Sequence, residues 1–330
     1  MSLFSKTRVW VADLRENQAV DEVFMVSGKS LRWTRSGNPF LALELCDRTG
    51  RIQARLWENA EALQSVGEID HFVRLCGQVA MFNDALQINV TDFEAVADES
   101  VDLVDYLPAS RREPEEMEKE LHDLCRSVGS PPLRALAESF FLDREFWALF
   151  RRAPAAKEVH HAVLGGLLEH TLAVANLCRG IALHYPELDA DLLLVAALLH
   201  DMGKTRELNW SRRFDYTDEG GLIGHLVIGA ELVAERARKI EGFPPETLLR
   251  LRHMLLSHHG QPEWGSPKLP MIPEAFALHY ADDLDCKLNT VEGSLAAGRH
   301  ADPVPHWTPY HRTLKRYLYK GPISGPETER

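Results

Sequence analysis

The chain has 330 residues, 45% of them apolar and 26% charged, with a net charge of −12. That length is too great for one small core and calls for two domains, and the ordinary globular composition excludes a mostly disordered chain. The acidic balance excludes bulk electrostatic adhesion to nucleic acid, so any such contact must use a local basic face or a metal.

The N-terminus, MSLFSKTRVWVADLRE, carries acids early and has no long apolar stretch, so no signal peptide is expected. No apolar run approaches the roughly 20 residues that span a bilayer, so no membrane partner is expected. The five cysteines lie far apart without CxxC spacing, which suits small buried hydrophobes in a reducing cytoplasm.

The first hundred residues read as β. Glu22–Thr34 is apolar and β-rich and ends in the turn Ser36-Gly37-Asn38-Pro39. Phe40–Leu45 follows, with Leu41, Leu43 and Leu45 on one face, then a second turn over Asp47–Gly50. Arg51–Trp57 alternates strictly, placing Ile52, Ala54 and Leu56 inward and Arg51, Gln53, Arg55 and Trp57 outward. Glu58–Val66 has helical spacing. Two more strands, near His71–Phe82 and Leu86–Val96, are joined by an Asn83-Asp84 turn. Three strands, a short helix and two strands is the element order of an all-β, five-stranded OB barrel.

From Glu99 to Pro114 the apolar pattern fades, which marks a linker. Glu115–Val128 regains helical spacing with Met117, Leu121 and Leu124 on one stripe, and Gly129-Ser-Pro-Pro132 breaks it. From Leu133 onward the chain reads as all-α. The expected organisation is an OB barrel over residues 1–98, a linker and connector helix over 99–130, and a helical domain over 131–330.

Fifteen histidines are the unusual count, and their placement is informative. His170 shares a helical face with Leu167, Val174 and Leu177. His200 and Asp201 end a segment, Leu192–Leu199, that is apolar all round. Burying an adjacent imidazole and carboxylate costs several kcal/mol unless a cation or partner compensates. A metal ion does so, and imidazole with carboxylate suits Mn²⁺, Fe or Zn²⁺. The theme recurs at His225, at His258 and His259, and at Asp282 in an otherwise apolar helix. Any one of these could be a cap or a satisfied core residue. Their recurrence favours a shared metal site.

The order His170, His200-Asp201, Asp282, in the context AALLHDMGK, resembles the signature of the HD phosphohydrolase superfamily. The stretches HHAVLGGLLEHTL, HDMGKTRELNW, LSHHGQPEWGSPKLP and HYADDLDCKLN resemble the YhaM family, over about Val23 to Asn289. That resemblance implies a cytoplasmic bacterial 3′-to-5′ exoribonuclease joining an N-terminal OB fold to a C-terminal HD domain. It also implies two divalent ions, manganese first, with iron, cobalt or zinc as alternatives. By position, His170, His200, Asp201 and Asp282 would hold one ion. His225, His258 and His259 would hold the other, with Asp201 bridging and His259 either a ligand or a residue just behind one. The resemblance sets Lys204 toward the phosphate. His160 and His161 would meet the phosphate or the ribose, or else stand exposed at a helix start. Asp283 and Asp285 read as structural.

Between Lys29 and Arg55 lie six basic residues against two acidic ones. With Trp33, Phe40 and Trp57 as stacking candidates and Arg35, Arg51 and Arg55 as phosphate contacts, the barrel face suits an RNA guide. The expected substrate is single-stranded RNA, with single-stranded DNA as an alternative. A phosphohydrolase for a small nucleotide and a non-catalytic RNA-binding module are the competing readings. A homo-oligomer is left open.

Overall fold

Alternating sequence becomes a barrel at the N-terminal end. The strands are β1 (Ala19–Trp33), β2 (Pro39–Asp47), β3 (Gly50–Leu56), β4 (Phe72–Phe82) and β5 (Ala85–Val96). They close in the order β1-β2-β3-β5-β4, with β3 and β5 parallel and the other pairs antiparallel. Leu41, Leu43 and Leu45 pair across from Leu56, Ala54 and Ile52. All six are buried with Phe24, Val73 and Ile88 in the barrel interior. Side chains of period two on a closed sheet leave only this arrangement for the apolar set. Asn83 and Asp84 both have positive φ, 48° and 61°, as a two-residue hairpin turn requires. At Gly77 the β4–β5 register shifts, and an added Cβ would stand 2.4 Å from the Asn89 carbonyl oxygen, so the bulge needs glycine.

The expected helix over residues 58–66 is not formed; that segment is a series of turns. Asn59 takes a left-handed φ of 54° and Gly67 one of 64°, which interrupt helical geometry at both ends. The spacing of Ala60, Leu63 and Val66 instead serves to pack them on the barrel core.

A computed structural model of the chain describes residues 8–157, 161–301 and 306–321. The chain divides into two compact units, Met1–Pro108 with Ser211–Arg213, and Ala109–Trp210 with Phe214–Arg330.

The second unit is helical: α1 (Pro114–Ser127), α2 (Pro131–Phe141), α3 (Arg144–Phe150), α4 (Gly166–His184), α5 (Ala190–Leu199), α6 (Lys204–Glu207), α7 (Asp218–Leu222), α8 (His225–Ala237), α9 (Pro245–Ser257) and α10 (Pro273–Ala301). One departure from all-α is a two-stranded sheet that pairs Leu208–Asn209 with Asp215–Tyr216. Helix α5 explains its own sequence. Every residue from Leu192 to Leu199 is buried, because α2, α4, α9 and α10 pack around it. Asp189 starts it by accepting a hydrogen bond from the Leu192 N–H. A helix surrounded on all sides must end inside the unit, and its last turn delivers His200 and Asp201 to the interior. Among the described residues no helix is long and apolar enough to cross a membrane.

Candidate metal centre

Five helices bring the polar residues together. His170 comes from α4, His200 caps α5 with Asp201 beside it, His225 opens α8, His258 caps α9 with His259 next, and Asp282 lies in α10. His170, His200, Asp201 and His258 are at most 2% exposed. Gly203 allows α6 to approach α8: an added Cβ would stand 2.2 Å from the His225 carbonyl oxygen.

The ligand-type atoms form two groups that share one carboxylate. In the first, His170 Nε2 lies 3.2 Å from His200 Nε2 and 3.1 Å from Asp282 Oδ1. Both imidazole nitrogens are 3.4 Å from Asp201 Oδ2. In the second, His225 Nε2 lies 3.3 Å from His259 Nε2, and His225 Nε2 and His258 Nε2 are each 3.5 Å from Asp201 Oδ1. Atoms that share an ion at about 2.1 Å stand about 3–3.5 Å apart at octahedral or tetrahedral angles. The donor set could therefore hold divalent cations.

Each imidazole is held from behind. Nδ1 of His170 meets Asp285 Oδ2 at 2.7 Å and Nδ1 of His225 meets Glu207 Oε1 at 2.8 Å. Nδ1 of His200, His258 and His259 meets the carbonyl oxygens of Ala197, Leu255 and Trp264 at 2.8, 2.9 and 2.8 Å. A carbonyl or carboxylate oxygen only accepts, so Nδ1 carries the proton and Nε2 keeps its lone pair toward the centre. Sequence reasoning missed Glu207 and set Asp285 aside as structural. Asp285 lies three residues after Asp282 on one helical face, which was the available signal. Glu207 left none beyond its place in the buried turn after Lys204.

The charges also fit a cation. Asp201 Oδ1 and His258 Nε2 are buried, have no hydrogen-bond partner among the described residues, and lie 3.5 Å apart. Orphaned polar atoms at this depth are costly unless something else occupies the space between them. Burial works to raise the Asp201 carboxyl, yet Lys204, His200 and His170 together hold it well below the usual carboxylate range. Burial likewise opposes ionisation of Asp282, and the imidazoles of His170, His258 and His200 overcome it. Burial pushes the His258 imidazole down to about 3, so it stays neutral and available as a ligand.

Residues 167–286 match the HD domain family and residues 21–96 the OB-fold nucleic acid binding domain family. The chain is 33% identical over 279 residues to the 3′-5′ exoribonuclease YhaM of Bacillus subtilis, covering 84% of this chain and 88% of that protein. It is 31% identical over 304 residues to the 3′-5′ exoribonuclease YhaM of Bacillus pumilus, covering 92% and 95%. The chain belongs to the YhaM 3′-5′ exoribonuclease family.

In this YhaM-family chain the remaining sequence candidates lie as follows. Lys204 is buried and its Nζ donates to Asp201 Oδ2 at 2.6 Å, one helical turn away. His160 lies outside the described residues. His161 is buried, with a left-handed φ of 49°, and its Nε2 is 3.0 Å from Asp285 Oδ2. Asp285 thus joins His161 to His170. Asp283 pairs with Lys287 at 2.5 Å.

On the barrel of this YhaM-family chain, Trp33 and Trp57 are 60% and 49% exposed, and Arg35 is exposed. The Phe40 and Trp57 rings are tilted 31° with centroids 4.8 Å apart. Trp57 also borders an open cavity of about 520 Å³ with Thr34, Asn38 and Asn59. Arg51 pairs with Glu44 at 2.9 Å, and Arg55 donates to Gln53 Oε1 and to the Ala54 carbonyl. Phe40, Arg51, Arg55 and Trp57 therefore gather on the β2–β3 side, with Glu44 as an acid among them, whereas Trp33 ends β1 and Arg35 lies in the turn that follows.

Proposed function

We propose that this chain is a cytoplasmic, metal-dependent 3′-to-5′ exoribonuclease that hydrolyses single-stranded RNA from its 3′ end. One observation carries the proposal: four imidazoles, each fixed through Nδ1, aim Nε2 at the two oxygens of one buried aspartate, and a fifth, His259, also fixed through Nδ1, sets its Nε2 3.3 Å from that of His225. The first ion would be held by His170, His200, Asp201 and Asp282, and the second by His225, His258, His259 and Asp201. Manganese is the first choice for this mixed set of imidazole and carboxylate. When bound, such a pair of ions polarises a phosphodiester, activates water and stabilises the leaving oxygen.

The chain's own residues supply the rest. Asp201 turns Oδ2 to His170 and His200 and Oδ1 to His225 and His258, so it would be a ligand common to both ions. Lys204 holds Asp201 Oδ2 in place and brings a positive charge to the phosphate side of the centre. Glu207 and Asp285 fix the imidazoles of His225 and His170, which keeps both tautomers correct without rearrangement during turnover. His161 borders a polar cavity of about 450 Å³ that Ser110, Arg111 and Asn289 also line, a suitable place for ribose and phosphate oxygens. On the barrel, Trp57 and Phe40 offer stacking surface, and the exposed Arg51–Glu44 pair contributes at most about 1 kcal/mol, so a phosphate can displace Glu44.

The test is incubation of the protein with end-labelled single-stranded RNA and Mn²⁺. A ladder of shortened products with released mononucleotides is expected. Intact RNA beside rapid hydrolysis of a small nucleotide, or RNA bound but not cut, would overturn the proposal. In the same assay, replacing Arg51, Arg55 and Trp57 with alanine should raise KM on long RNA on the order of tenfold and flatten its salt dependence, because stacking and phosphate contacts are lost. Hydrolysis of a dinucleotide should not change. A triple variant with wild-type KM and salt dependence would remove this face as the RNA guide.

A further inference from the structure

Beside the second group of imidazoles lies a cavity of about 270 Å³. His225 and His259 line it, so it opens directly onto the centre. Its other walls are Ile223, Val227, Trp264 and Pro267. Ile223 and Trp264 are 48% and 53% exposed. The Trp264 ring does not belong to the hydrophobic core of its unit. It stands on a loop that is well fixed. The Ser266 N–H donates to the Gln261 carbonyl at 3.2 Å, and the buried Ser266 hydroxyl donates to the Leu256 and Lys268 carbonyls at 3.1 and 2.7 Å. The Trp264 carbonyl accepts the Nδ1 proton of His259 at 2.8 Å. Lys287 Nζ stands 5.9 Å from the indole centroid. An indole that is pre-positioned, exposed and tied through its backbone to a candidate ligand is a stacking platform at the reacting phosphate.

We propose that this cavity takes the 3′-terminal nucleobase of the RNA, stacked on Trp264. The proposal rests on the exoribonuclease reading above and names where its terminal nucleotide sits. A flat, uncharged ring fits an apolar slot, while the polar cavity beside His161 suits ribose and phosphate. Glu207, the one acidic side chain lining the slot, already accepts from the His225 N–H at 3.0 Å and from its Nδ1 at 2.8 Å. Both bonds fall on Oε1 and turn that oxygen toward His225. The slot accepts all four bases by stacking and holds purines better than pyrimidines, as an exonuclease working along any sequence requires. With the base seated, the phosphate on the 5′ side of its ribose is delivered beside His225 and His259.

The experiment compares first-cleavage kcat/KM on two oligoribonucleotides, one complete and one whose 3′-terminal residue is an abasic ribose. Wild-type protein should prefer the complete substrate on the order of tenfold, the contribution of one stacked base. Trp264→Ala should lose that preference, cleave the abasic substrate as wild type does and keep its metal content. Trp264→Phe should retain part of the preference. The proposal is overturned if Trp264→Ala keeps the full preference, or loses it only together with cleavage of the abasic substrate and bound metal, which would make Trp264 a support for His259. It is equally overturned if Arg111→Ala, in the polar cavity, removes the preference and Trp264→Ala does not. Wild-type protein that cleaves neither substrate removes the exoribonuclease reading and the subsite with it, whereas cleavage of both without preference removes the subsite alone.

Discussion

Asp201→Asn should abolish hydrolysis, with a rate loss of about a thousandfold or more, while RNA stays bound. The amide keeps the side chain's size but removes the charge that both groups of imidazoles face, at 3.4 and 3.5 Å. It also leaves Lys204 without its buried partner. Several kcal/mol of transition-state stabilisation depends on the groups that hold the ions, which sets the scale of the loss. Affinity for RNA is expected to come largely from the barrel and so to survive. Misfolding is separated from lost chemistry by melting the protein with Mn²⁺ and with a chelator. Ions that bind only the folded chain raise its stability. The wild type should gain thermal stability from Mn²⁺ and the variant should not, while in chelator the variant still melts in one cooperative transition, at a lower temperature because Lys204 has lost its partner. A folded Asp201→Asn protein that still releases nucleotides would sink the assignment.

Asp285→Asn should weaken metal binding about 10- to 100-fold, the usual consequence of losing a carboxylate behind a ligand histidine. Burial opposes ionisation of Asp285, but His161 and His170 hold its carboxyl well below the usual range, so it faces both rings as an anion. An asparagine can present its amide N–H to His170 Nδ1, which then accepts that hydrogen bond, so the ring's own proton sits on Nε2, toward the centre. Activity should fall at low Mn²⁺ and return at high Mn²⁺. That titration shift is the mark of a positioning residue. A variant with lower activity at every Mn²⁺ concentration and an unmoved midpoint would show that Asp285 only supports the fold.

Much of this was legible in the sequence. Alternation in Phe40–Leu45 and Arg51–Trp57 sets the barrel's inward face, because one register alone buries those leucines. The apolar run Leu192–Leu199 marks the central helix, and the His-Asp pair at its end can only be interior. The supports behind the histidines were not legible, for a physical reason. Three are backbone carbonyls, which every residue has, and Glu207 reaches His225 across 18 positions of chain. The family resemblance sets Lys204 toward the phosphate. Its ion pair with Asp201 follows from their spacing of three on one turn, a local geometry that a functional role had overshadowed. The missing helix at 58–66 is the opposite case: period-three spacing of Ala60, Leu63 and Val66 survives while left-handed Asn59 breaks the backbone pattern.

The central claim is that Asp201 divides its two oxygens between two metal sites. Counting bound manganese per chain by mass spectrometry, after saturation and removal of excess, tests it most directly. About two ions per chain are expected for the wild type. About one should remain in the His225→Ala, His258→Ala double variant, which keeps the first group intact. One ion per chain in the wild type, unchanged in that variant, would contradict the claim and leave His225, His258 and His259 as structural histidines beside a single-metal site.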